Sequence, residues 1–189
     1  MKHWSLLFIL MVICLLVWSV NALQAGWDPS KPETAEDSET HTPVVAQTIA
    51  NFKHHDPGLK AFFESAHGYA VFPTITKGGL FIGGAYGEGE VYEQTALIGK
   101  SSLTQVTVGF QVGGQTYSEI IFFKDKNAIV RFTGGNFEFG AQVSAVAVTA
   151  GVSKDVDYSN GVAVFTLPKG GLMCEAAIGG QKFRFEPVK

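Results

Sequence analysis

The sequence predicts an α+β domain, mainly β, with two N-terminal helices packed on a twisted antiparallel β-sandwich or barrel-like sheet. Three observations point there. Apolar residues recur at helical spacing from residue 43 to 66, then mostly at spacing two beyond Gly68. Glycine is abundant, with 22 in 189 residues, and only 16% of residues are charged, against roughly 25% in ordinary soluble domains. One phrase is also written twice, as "AVFPTITKGGL" from Ala70 to Leu80 and "AVFTLPKGGL" from Ala163 to Leu172.

Residues 1–25 read as a signal peptide. Lys2 and His3 precede an apolar run from Leu6 to Trp18, and small residues follow at Val20 and Ala22. The run is shorter than the about 20 residues of a membrane span. An exported protein is expected, periplasmic or secreted and peripheral to a membrane. The alternative is a chain anchored by an uncleaved N-terminal segment. Cys14 follows Met11, Val12 and Ile13 rather than small residues, which disfavours lipid attachment. Cleavage leaves Cys174 as the lone cysteine and no intramolecular disulfide.

Residues 26–41 read as a disordered acidic spacer. Gly26 to Thr40 is rich in Pro, Ser and Thr and holds five acids and one lysine. The folded domain is expected over 42–189. From His41 onward the chain carries 12 basic and 12 acidic residues. A nucleic-acid binder would show a basic excess.

Thr42 and Pro43 open the first helix, in which Val45, Ile49 and Phe52 form one stripe. Asp56 and Pro57 open the second, with Leu59, Phe62, Phe63 and Ala66 on one face and Gly68 as its stop. "TQVTVGFQV" alternates cleanly, with Val106, Val108, Phe110 and Val112 opposite Gln105, Thr107, Gly109 and Gln111. That is the pattern of a half-buried strand. "SEIIFF" is a more continuously apolar strand. "KDKNAIVRFTGG" predicts a short helix capped by Asp125, with Ile129 and Phe132 inward and Gly134 and Gly135 at its end. "NFEFGAQVSAVAVTAGV", "GVAVFTL" and "GLMCEAAIGGQKFRF" return to strand.

The two copies of the repeat agree at eight positions, from Gly68 and Gly161 to Leu80 and Leu172, across one single-residue gap. The gap falls between the Phe and the Lys, where a slip does not turn strand residues to the wrong face. Each copy is therefore read as a hairpin whose turn ends in Lys-Gly-Gly, giving a pseudo-twofold repeat. Consecutive glycine N–H groups can form an anion-binding concavity, and a lysine beside them supplies a charge for phosphate. Lys77, Gly78, Gly79, Lys169, Gly170 and Gly171 are the lipid-binding candidates on this reasoning.

Other motifs carry less. His54 and His55 project about 100° apart on a helix, a poor arrangement for a shared metal. "GGAYGEGE" has the wrong order for a phosphate loop. Gly83, Gly84, Gly87 and Gly89 suit strand bending or close strand packing. Glu88 and Glu90 share a strand face without an evident partner acid. Cys174 reads as a buried structural thiol. No nucleophile–base pair is evident, so neither an enzyme nor a cofactor is expected.

The blocks "LKAFFESAHGYAVFPTITKGGLFIGGAYGEGEVY", "GFQVGGQTYSEIIFF", "FEFGAQVSAVAVTAGV" and "GVAVFTLPKGGLMCEAAIGG" resemble, in order, the SYLF domain over roughly residues 43–185. The resemblance implies a module that binds phospholipid or phosphoinositide. In eukaryotic relatives it also implies association with actin. Lys77 and Lys169 match the lysine-plus-glycine positions of the family. The expected function is non-enzymatic binding of an anionic phospholipid head group at a membrane surface. Lys53 and Lys60 would flank an amphipathic N-terminal helix that adds apolar contact. The alternative is a protein-interaction or assembly module of the cell envelope, using strand edges, with actin binding only by distant family analogy.

Overall fold

The computed structural model describes residues 41–135, 137–139 and 145–188. The expected signal peptide and acidic spacer lie outside the described residues but for His41, as does the side chain of Cys174. The element order is α1 (Pro43–His55), α2 (Leu59–Ser65), β1 (Gly68–Glu93), β2 (Ala96–Phe123), α3 (Lys126–Thr133), β3 (Phe137–Phe139), β4 (Ala145–Ala147), a 3-10 turn (Val152–Asp155) and β5 (Val162–Pro187). The α+β, mainly β class follows directly. No described helix is long and apolar enough to cross a membrane.

β1, β2 and β5 run for 26, 28 and 26 residues, where ordinary strands have about 3–10. The sheet order is β1-β2-β5-β3, and β4 also pairs with β5. The three long strands are antiparallel along their whole length. β4 runs parallel to β5 at 164–166, so the sheet is mixed rather than wholly antiparallel.

Such strands do not lie flat. β1 folds back over itself, so that Ala70, Phe72 and Ile75 share a core with Ala85 and Val91 of the same strand. Glycines permit the close approach of the two layers. A Cβ at Gly87 would stand 2.6 Å from Ile75 Cγ1, and one at Gly89 would stand 2.7 Å from Phe72 Cδ1. The result is a curled half-barrel with one bend across the middle of all three strands.

The bend corrects the hairpin reading of the repeat. Each copy lies inside one continuous strand, and its Lys-Gly-Gly is a corner rather than a turn. Gly78 and Gly79 pair with Gly114 and Gly113 of β2, and Gly170 and Gly171 sit opposite Thr116 and Gln115. Two Gly-Gly steps thus lie directly opposite each other, and the third is offset from them by two residues along β2. At Gly79 a Cβ would stand 2.6 Å from the Ile82 carbonyl and would overlap Gly83 Cα, so a side chain there would block the fold-over.

The segments at the start of β1 and β5 and the end of β2 are buried on both faces, which explains their continuous apolar runs. One face meets α1 and α2. Val45, Ile49, Phe52 and Leu59 pack with Tyr69, Val71, Ile120, Phe122 and Phe165. The other meets α3, where Ile129 and Phe132 join Phe72, Ile121 and Phe123. Each fully buried large side chain contributes about 1.5–3 kcal/mol. Asp125 caps α3 by accepting the Ala128 N–H at 2.9 Å. Thr42 sits at the α1 N-cap without a capping bond; its hydroxyl donates instead to Glu90 Oε2 at 3.2 Å. Asp56 ties the α1–α2 corner down by accepting the N–H of Gly58 at 2.9 Å and of Ser153 at 2.7 Å. Burial opposes its charge, yet these backbone hydrogen bonds, led by that of Ser153, hold its carboxyl below the ordinary value.

Candidate functional site

At the bend the polarity of the sheet is inverted. Val106, Val108, Phe110 and Val112 are the exposed side of β2, with Val108 63% exposed, while Thr107 and Gln111 are buried. The clean alternation of "TQVTVGFQV" therefore describes a strand whose apolar side is the wet one. Leu80, Phe81 and Ile82 of β1 and Leu172 of β5 extend the same exposed patch. The pairing sets them together: Leu80 faces Val112, Ile82 faces Val108, and Gly114 faces Leu172.

The inversion is built into the backbone. Between Leu80 and Ile82, β1 has one residue where β2 has three, a bulge that sharpens the turn of the sheet. Phe81 occupies it with φ of +64°, a left-handed conformation that is an outlier for a bulky residue. Its ring is 59% exposed and lies 6.2 Å from that of Phe110. On the buried side the Thr107 hydroxyl donates to Gln111 Oε1 at 2.8 Å, and Gln111 Nε2 donates back to the Thr107 carbonyl at 3.2 Å. The polar pair is satisfied internally and faces the concave side.

That concave side holds a cavity of about 410 Å³ lined by Lys77, Gln105, Gln115, Tyr117, Glu119 and Gln181 among others. Glu119 is wholly buried. Its Oε2 accepts from Gln181 Nε2 at 3.0 Å, a bond that bridges the two layers, and its Oε1 has no partner. Burial pushes its carboxyl up to about 7 against the opposing effect of Gln181.

The lysines expected from the repeat both stand three residues before the apolar tip but do not converge. Lys77 is buried and lines the concave cavity. Lys169 is exposed, and its ammonium donates to the Pro73 carbonyl at 3.2 Å and to Thr74 Oγ1 at 3.0 Å. Gly78, Gly79, Gly170 and Gly171 form the corner between them. Lys53 lies over the Phe63 ring at 4.9 Å, and Lys60 pairs with Glu64 at 3.7 Å. Both belong to the helix-covered ends of the strands. Those ends are about ten residues from the bend, on the order of 30 Å along a strand.

The acids at 88 and 90 have separate environments. Glu88 is exposed and accepts from Tyr86 at 2.6 Å. Glu90 is buried and accepts from Tyr92 at 2.5 Å. Burial, and then that bond, keep the Tyr92 phenol protonated. His55 Nδ1 lies 2.8 Å from the Asn51 carbonyl.

Sequence reasoning placed the contact surface on charge and overlooked the apolar tip and Glu119. A signal existed for both. "GGLFIGG" sets three large apolar residues between glycine pairs, and Glu119 is a lone acid in an apolar run.

Residues 104–186 match the family model Ysc84, described as "Las17-binding protein actin regulator". The chain is also similar to "Beta cell expansion factor A" of Aeromonas veronii, at 27% identity over 154 residues. That alignment covers 80% of this chain and 59% of the relative, so the chain spans less than two thirds of the relative's length.

Proposed function

With residues 104–186 matching the Ysc84 model, the chain is placed in the SYLF family, and from that premise we propose that it is a non-enzymatic module that binds anionic phospholipid at a membrane surface. The observation that carries the reading is the inverted bend. Exposed apolar patches on soluble proteins mark surfaces that meet another apolar phase. This one is convex, spans three strands, and includes an aromatic side chain held outward by a left-handed backbone. A convex apolar ridge suits entry into the upper acyl region of a bilayer, about 5–10 Å deep. Lys169, three residues back along β5, would then stand at the level of the phosphates, its charge in the polar layer once it leaves Pro73 and Thr74. In this reading the protein is exported and meets the membrane from outside the cytosol, where a phosphoinositide is one candidate among anionic head groups.

The test is co-sedimentation of the purified protein with zwitterionic and anionic vesicles at two salt concentrations. A Val108→Ser/Phe110→Ser double variant removes two side chains that are each more than half exposed. Each stands to contribute about 1–1.5 kcal/mol on insertion, so partition should fall roughly 30- to 150-fold. Lys169→Glu should weaken binding several-fold on anionic vesicles alone, and less at higher salt. Undiminished binding by the double variant would remove the bend from the reading. Failure of the wild type to bind either vesicle would move the bend to the competing role, a protein-assembly surface.

A further inference from the structure

The concave side of the same bend carries a different chemistry from the convex side. A buried carboxylate oxygen without a partner costs on the order of 1–3 kcal/mol or more. A leucine or methionine at position 119 would remove that cost within a core that already accepts Ile121 and Phe123 on the same face of β2. Glu119 instead shares the cavity with several polar side chains. Gln105, Gln115 and Gln181 each offer an amide, and Tyr117 and Lys77 share the rest of the wall with Thr166, Pro168 and two alanines of β4. Its volume, about 410 Å³, falls in the range of roughly 300–1,000 Å³ typical of small-molecule sites.

We propose that this cavity binds a small neutral polyhydroxylated molecule, of mono- or disaccharide size, with Glu119 Oε1 hydrogen-bonded to a ligand hydroxyl. Three observations select the class. The missing partner of Oε1 is a donor when the carboxyl is ionised and an acceptor when it is protonated, and a hydroxyl serves as either. Side-chain amides beside a carboxyl match hydroxyl groups, which donate and accept at once. Lys77 on the same wall disfavours a cationic occupant. The inference is independent of the membrane reading, because the ligand enters the side of the sheet that faces away from the apolar tip.

Saturation-transfer NMR on the lipid-free protein tests it, with glucose, galactose, maltose and ethanolamine as probes. At least one of the three sugars should receive saturation. Glu119→Leu should weaken its binding at least tenfold while melting no lower than wild type. Gln115→Leu, at a half-buried position, should weaken it several-fold and serves as the readout if the first variant does not fold. No transfer to any sugar, transfer undiminished in the variants, or transfer to ethanolamine alone would overturn the proposal.

Discussion

Replacing Glu119 with glutamine should change how stability depends on pH, and the structure supplies the size of the change. The carboxyl ordinarily titrates near 4.5 and is pushed up to about 7 by burial in the folded chain. Ionisation is therefore harder in the folded than in the unfolded state. The stability Glu119 contributes is fully present below about pH 4.5 and is lost progressively as the pH rises through about 7. At 1.36 kcal/mol per pKa unit the loss amounts to about 3 kcal/mol. Glutamine keeps the shape and does not titrate. The difference in unfolding free energy between Glu119→Gln and wild type should therefore move in the variant's favour by about 3 kcal/mol between pH 4 and 8. That corresponds to roughly 6–12 °C in melting midpoint for a domain of this size. Urea denaturation followed by far-UV circular dichroism at several pH values measures it, and all other titrating groups cancel in the difference. A difference that stays constant within about 0.5 kcal/mol would refute a buried, half-unpartnered carboxyl.

Two further outcomes follow from the bend. Phe81→Gly should relieve a left-handed backbone that costs about 1 kcal/mol, raising the melting midpoint by about 2–4 °C while reducing vesicle binding; a lowered midpoint would contradict the strain. Gly79→Ala should destabilise by about 1–3 kcal/mol, because its Cβ meets backbone, whereas Gly170→Ala has open space and should stay within about 0.5 kcal/mol. Equal urea midpoints for the two would show that the three Gly-Gly steps are not packed as described.

The helices were legible because their signals are local. The Val45, Ile49 and Phe52 stripe is buried as its spacing demands, and Asp125 caps α3 with Ile129 and Phe132 inward. The long strands were not, because Lys-Gly-Gly reads alike at a turn and at a corner within a strand. Only the pairing of Gly78 with Gly114 and of Gln115 with Gly171 distinguishes the two. Period two tells which residues of "TQVTVGFQV" share a side. It does not tell which side is wet, and here a satisfied Thr107–Gln111 pair lies inward. The lysines were visible, but Lys77 and Lys169 have different surroundings that spacing alone does not encode.

Because each long strand crosses the bend, each supplies both layers of the half-barrel. Gly68 pairs with Phe123 and Glu93 with Ala96, while Val162 and Pro187 close the same ladders on the far side of β2. Neither layer can be completed from one stretch of chain. Folding must bring together segments far apart in sequence before either hydrophobic cluster is closed, a high-contact-order topology that folds in milliseconds to seconds. The corner is then the place where all three strands pass from one layer to the other. An error of pairing there would leave both layers open together.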